Sequence, residues 1–196
     1  MGVSWPATGN LAPLFFVALI PLLYVEDTIS KNLDKYKSRH LFFGAYTTFF
    51  TFNVFTLWWI WFASPGGMAL VAFIYTFFMA VVFYWFHTTK KRLGSKRGYI
   101  ALPVLWVGFE WLHSNWELSH PWNTLGHAFS NYPELIQWFE FTGVMGGSLW
   151  IFLVNILLFK LFKHIMNARV QTPRRKLKTF LLRPNWPILG RRFKIS

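Results

Sequence analysis

The chain has 196 residues, 54% of them hydrophobic, 21% aromatic and 14% charged, with a mean hydropathy of +0.33. Soluble domains run nearer one-quarter charged, so this is the balance of a membrane protein, and the absence of cysteine excludes disulfides, thiolate metal sites and a cysteine nucleophile. Twenty Lys and Arg against seven Asp and Glu give a formal charge of +13, but these charges interrupt apolar runs instead of forming one basic face, so the anionic partner they suggest is a membrane leaflet and not nucleic acid.

In chain order, the first apolar segment is 11–25, only 15 residues with prolines at 13 and 21. At roughly 22 Å if helical throughout, it reads as a kinked or re-entrant segment. It has neither the positive flank nor the small-residue cleavage site of a signal peptide. Residues 41–62 and 67–86 are uncharged runs of 22 and 20 residues, roughly 30 Å or more in length, the thickness of the hydrocarbon core. Segment 99–113 is shorter and carries Pro103 and Glu110; segment 144–162 is apolar except for Lys160, which sits close enough to its end to snorkel. The pattern predicts an all-α integral membrane protein, a polytopic antiparallel helix bundle of about five membrane segments with a long outward-facing aromatic loop. Residues 1–163 form its transmembrane domain and 164–196 a basic cytoplasmic tail.

The basic residues orient this bundle. Lys31, Lys35, Lys37 and Arg39 separate the first two segments; Lys90, Lys91, Arg92, Lys96 and Arg97 separate the third and fourth; the remainder lie from Lys160 onward. Regions 1–10, 63–66 and 114–143 have none. This is the positive-inside pattern, and it puts the N-terminus and the 114–143 loop outside, with the C-terminus in the cytoplasm. Trp58, Trp59 and Trp61 at one end of their segments and Trp85 at the other read as an aromatic belt. The tail, with nine basic residues, no acidic ones and prolines at 173, 184 and 187, reads as a disordered segment held on anionic lipid of the inner leaflet.

The outward loop is long and aromatic, a composition for amphipathic pieces lying in the outer leaflet; 134–141 suits such an interfacial helix. His113, His120 and His127 recur every seven residues, a spacing that matches no common zinc motif, and Pro121 breaks the helix that would align them. They read as interfacial histidines, and no metal or other cofactor is expected. Ser114, Ser119 and Ser130 lie near these histidines and Glu110 or Glu117 without the elbow context of a hydrolase. Glu110 is more telling, because a carboxylate within a membrane segment costs several kcal/mol unless it is paired or faces a wet cavity. Glu140 and Asn155 raise the same question, and with Trp111, His113 and Trp122 these are the candidate residues of a lipid or substrate cavity. No side chain is assigned a catalytic role.

The run WVGFEWL at 106–112, PW at 121–122, LG at 125–126, PELIQ at 133–137, TGVMGGS at 142–148 and LVNILL at 153–158 resembles the membrane part of bacterial apolipoprotein N-acyltransferase. A weaker similarity covers SWPATGNLAPLFFVALIPLL at 4–23, and His113 stands where the family commonly has arginine. The resemblance implies transfer of an acyl chain from phospholipid to the N-terminal amine of a diacylglyceryl lipoprotein at the bacterial inner membrane. It implies a nitrilase-like domain outside the membrane, with a Glu–Lys–Cys triad, as the catalyst. This chain has no cysteine and no lysine outside its cytoplasmic regions. It is therefore expected to be inactive alone, short of one helix ahead of it and of two helices and the catalytic domain behind, or to work with a separate nitrilase-like subunit. The alternative is a non-catalytic membrane protein that binds lipid or lipoprotein through 106–143.

Overall fold

In the computed structural model, which describes residues 1–117 and 119–181 and side chains as far as 169, every regular element is helical among the described residues. A 3-10 turn Ala12–Phe16 leads into α1 (Ile20–Lys31); α2 is Ser38–Leu57, α3 Ile60–Ala63, α4 Pro65–Leu70, α5 Thr76–Ser114, α6 Pro133–Ile136 and α7 Phe139–Leu181. Three stretches, Ala12–Lys31, Pro65–Ser114 and Phe139–Arg169, are long and apolar enough to cross a membrane. The chain divides into a unit Met1–Phe159 and a second from Lys160 onward. In the second, the helix continues to Leu181 where the sequence reads as a disordered tail: neither proline nor glycine interrupts 160–172, and the helix runs on through Pro173. The tail reading for 182–196 lies outside the described residues.

The first unit is built from helical hairpins. Pro65–Ser114 would extend roughly 75 Å if straight, far more than a bilayer, but it is not straight. Gly94 has φ +80 and ψ 166, non-helical values that favour glycine, and the chain folds back there. Phe86 then meets Tyr99, and Tyr75 meets Phe109, across the two limbs. Their contact is close enough that a Cβ on Gly98 would lie 2.5 Å from the Lys90 Cβ. Gly143 (φ +66) similarly detaches residues 139–142 from the rest of α7, so the long helix effectively begins at Val144.

α2 has the length of a span but is rich in threonine. Thr47, Thr48, Thr51 and Thr56 turn their hydroxyls back onto carbonyls of the preceding turn, which removes the polarity that would otherwise face an apolar environment. Beyond Leu57 the helix tightens to i→i+3 bonding at Trp61 and Phe62, then stops at Ser64, held extended before Pro65. Trp58, Trp59, Trp61 and Trp85 are exposed. The core is aromatic, with buried Trp106 touching Phe49 and Phe152 at ring-centroid distances of 5.2 and 5.1 Å.

The joint between Ala12–Phe16 and α1 leaves backbone groups without helical partners. Asn155 of α7 fills that gap: it accepts from the Leu19 N–H at 2.9 Å and donates to the Phe15 carbonyl at 2.8 Å. One side-chain amide thus substitutes for the missing turn in a fully buried place.

Two ends result. At one, Glu26 of α1 contacts Lys90 and His87, and Ser38 reaches His87 at 3.2 Å. The α1–α2 turn and the Gly94 turn therefore lie together, and every Lys and Arg between 31 and 97 falls at or beside them. At the other end, free of Lys and Arg, loop 115–138 packs onto the starts and ends of the same helices.

Candidate functional site

The loop at the basic-free end is a folded cap. It comprises 3-10 turns Pro121–Asn123 and Leu125–Phe129 and the short α6, and 134–141, which suits an interfacial helix by sequence, is divided between α6 and the start of α7. Its compactness follows from buried polar ties. The Asn123 amide donates to Asn53, and Asn53 donates to Thr76 at 2.7 Å. Leu125 N–H donates to Glu110 Oε1 at 3.0 Å, Gly126 N–H to Ser148 Oγ at 3.0 Å, and the Tyr132 hydroxyl to the Asn10 carbonyl at 2.7 Å. Phe129 seats between Phe16 and Trp150.

Glu110 is the central group. It is 2% exposed; Oε1 accepts from Leu125 N–H and from Trp106 Nε1 at 3.0 Å, while Oε2 has no hydrogen-bond partner among the described residues. One oxygen thus anchors the loop backbone, and the other is a buried acceptor still to be satisfied. Close by, His113 and His120 flank Tyr75 at ring distances of 4.5 and 5.6 Å, 6.4 Å from each other, with both Nε2 atoms unpartnered among the described residues. The histidine pair converges although the helix ends before Pro121, because the chain turns back over Tyr75. His127 is not with them, and among the described residues no group of three metal-ligating side chains assembles.

Beside this cluster opens a cleft of about 480 Å³, walled by Trp59, Ile60, Leu70 and Trp122 with Glu117 and His120 at its polar side. Trp59 and Trp122 meet edge to face at 6.3 Å. A smaller apolar groove, of about 70 Å³, lies between Phe78, Phe109, Leu112, His113 and Trp116. Of the residues singled out from sequence, Trp122 lines the cleft and His113 the groove; Glu110 lies buried beneath the loop. Asn155 is committed to backbone groups, and Trp111 and Glu140 are exposed.

Sequence reading did not single out Glu117 and His120 as a pair, nor the buried network of Glu26, Asp27, His87, Lys90 and Tyr99 at the other end. A signal for the latter was present: two carboxylates directly after an apolar run, and His87 and Lys90 spaced i, i+3 on one helix face.

Burial, and secondarily the neighbouring His113, push the His120 imidazole down to about 4; burial also lowers His127, partly offset by the Pro121 carbonyl. A histidine depressed on folding binds its proton more readily in the unfolded chain, so stability is intact above about pH 6.5 and falls as pH drops toward 4. The midpoint of thermal unfolding in detergent should therefore decline from pH 7 to 4.5, and His120→Phe should flatten that decline. An unchanged slope in the variant would place the acid sensitivity elsewhere.

Residues 1–157 match the family model described as the apolipoprotein N-acyltransferase N-terminal domain. The chain is 32% identical over 166 residues to the apolipoprotein N-acyltransferase of Chlorobaculum tepidum, covering 83% of this chain and 30% of that protein. Against the enzymes of Geobacter metallireducens and Rickettsia prowazekii it is 28% identical, over 83% and 77% of this chain and 32% of each relative. The chain thus spans about a third of the length of the curated relatives it matches. No solved structure matches it.

Proposed function

The chain belongs to the apolipoprotein N-acyltransferase family, and from that premise we propose that it is the membrane portion of a phospholipid-to-lipoprotein N-acyl transfer system, acting in lipoprotein maturation at the bacterial inner membrane. In this reading five segments cross the bilayer: Ala12–Lys31, α2, the two limbs of the Gly94 hairpin, and α7 beyond Gly143. The basic turns face the cytoplasm, and the N-terminus and the loop cap face the periplasm. The tail, cytoplasmic as well, rests on anionic lipid.

The observation that carries this reading is the cleft at the basic-free end. Its aromatic and aliphatic walls suit an acyl or diacylglyceryl chain, and Glu117 and His120 offer polar contacts at headgroup level. Trp122 would contact the lipid directly, Glu110 would hold the loop that carries Trp122, and His113 would close the adjoining groove. Asn155 keeps the first segment bent, while Trp111 and Glu140 face the surrounding bilayer and its interface. The thioester chemistry implied by the family requires a cysteine, and these 196 residues contain none. The chain accordingly anchors and supplies substrates, and a nitrilase-like catalytic part performs the transfer.

The test is lipoprotein N-acylation read by mass spectrometry in a strain depleted of its own transferase. The chain alone should give no triacylated lipoprotein; the chain with a nitrilase-like domain supplied in trans should give it, and Trp122→Ala should reduce it. A photo-crosslinker at Trp122 should capture lipid or lipoprotein. Crosslinking without restored acylation by any nitrilase-like partner would favour the second reading, a lipid- or lipoprotein-binding protein without catalysis. Neither crosslinks nor acylation would remove both.

A further inference from the structure

A second cavity, of about 530 Å³, opens at the opposite, basic end, between the last turns of α1 and the first turn of α2. Its wall is apolar and aromatic, from Tyr24, Val25 and Ile29 on one face of α1, and Lys35, Tyr36 and His40 complete the lining. The cations there are not consumed by carboxylates. Lys31 is paired with Asp27 at 2.6 Å, but Lys35, Lys37 and Arg39 form no ion pair among the described residues, and Asp34 is the only acid between 31 and 40. His40 Nδ1 accepts from the Lys37 N–H at 3.1 Å, which fixes the ring and leaves Nε2 as the edge available to a ligand.

We infer that this groove binds the headgroup of an anionic phospholipid, with its phosphate between Lys35 and His40 and its glycerol and upper acyl chain along Tyr24, Val25 and Ile29. Three features converge on a lipid and not on a free anion: the apolar wall belongs to a stretch, Ala12–Lys31, long and apolar enough to cross a membrane, Lys35 and His40 line the same groove, and so do two tyrosines, whose amphipathic rings are enriched at headgroup level. The site lies at the opposite end from the cleft assigned to substrate. A lipid held there steadies the α1–α2 turn without entering the transfer reaction. Which leaflet supplies it rests on the orientation proposed above; the chemistry of the site does not.

The full chain is reconstituted in phosphatidylcholine with and without phosphatidylglycerol, and retained lipid is read by native mass spectrometry. The wild type should retain phosphatidylglycerol in preference to phosphatidylcholine. Lys35→Gln should lower that retention about fivefold, the weight of roughly one interfacial cation (about 1 kcal/mol). Lys91→Gln, which removes an exposed charge at the Gly94 turn, should leave it unchanged, and Val25→Asn should lower it without any change of charge. Equal losses in Lys35→Gln and Lys91→Gln would reduce the effect to the general field of the basic end and overturn the site, as would retention without lipid preference. The cysteine-free sequence gives a clean independent arm. Asp34→Cys should be shielded from a membrane-impermeant maleimide added outside the cell; labelling from outside would reverse the orientation and move the site to the outer leaflet, leaving the lipid result standing.

Discussion

Replacing Lys90 with methionine is expected to destabilise the folded bundle by about 3–5 kcal/mol, the largest loss from any single side chain at the basic end. Lys90 donates to Glu26, lies 3.6 Å from Asp27 Oδ1, donates to the Tyr99 hydroxyl at 3.1 Å, and sits 4.7 Å above the Tyr99 ring. Glu26 is fully buried and also accepts from His87 at 2.9 Å and Ser30 at 2.6 Å. Removing the ammonium leaves a carboxylate in an apolar place with only partial compensation, which is the costly way to break a buried pair. The same network joins three chain segments: α1 through Glu26, the first limb of the hairpin through His87 and Lys90, and the second through Tyr99. Its loss should therefore be felt as separation of the Gly94 limbs, not as fraying of one helix.

The discriminating comparison is the double variant Glu26→Gln, Lys90→Met. With both charges gone, no unpaired ion remains, and stability should return to within about 1–2 kcal/mol of wild type. Unfolding midpoints followed by tryptophan fluorescence in mixed detergent micelles would read both. A wild-type midpoint in Lys90→Met alone would mean that Glu26 finds another partner, and would remove the network from the account of the fold.

What the sequence could and could not disclose follows from the physics of each feature. The two-ended distribution of charge was legible because it is one-dimensional: Lys and Arg cluster in the turns whatever the tertiary packing, and the hairpin at Gly94 brings those turns together as the pattern required. The polarity of Glu110 and Asn155 was legible as an anomaly, but their partners were not. Each satisfies backbone groups far away in the chain, Leu125 for Glu110 and Leu19 and Phe15 for Asn155, and nothing local encodes such a pairing. Glu26 was overlooked because it falls just past the apolar run, where an ion normally meets water; only the packing of the hairpin against α1 encloses it. The loop was legible as an ordered aromatic segment, whereas its division into short turns depends on Pro121, Pro133 and the buried asparagine ties acting together. His113 and His120 look unrelated along a helix broken before Pro121, and converge only because both pack on Tyr75.

At the opposite end the largest effect is expected from a single methyl group. Gly126 lies against the start of the long part of α7, where a Cβ would stand 2.0 Å from the Val144 carbonyl oxygen and 2.9 Å from its Cγ1. The obstacle is backbone, which cannot swing aside as a flexible side chain would, and the approach is close from the other side as well, since a Cβ on Gly147 would stand 2.9 Å from the Gly126 Cα. Gly126→Ala must therefore lift the loop, and lifting it breaks the Gly126–Ser148 and Leu125–Glu110 bonds together. Overpacking and two lost buried hydrogen bonds give an expected loss of about 2–5 kcal/mol. Gly108→Ala is the matched control, since nothing lies within 4 Å of its Cβ, and in a helix it should be neutral or slightly stabilising. Hydrogen exchange resolves the location: protection should fall across 121–129 in Gly126→Ala while the Gly94 limbs and α2 keep theirs. Because Trp122 rides on that loop, lipid crosslinking at position 122 should fall in step with protection. If the loop opens and crosslinking persists, the cleft does not depend on the folded cap, and Trp59, Ile60 and Leu70 alone would have to hold the lipid.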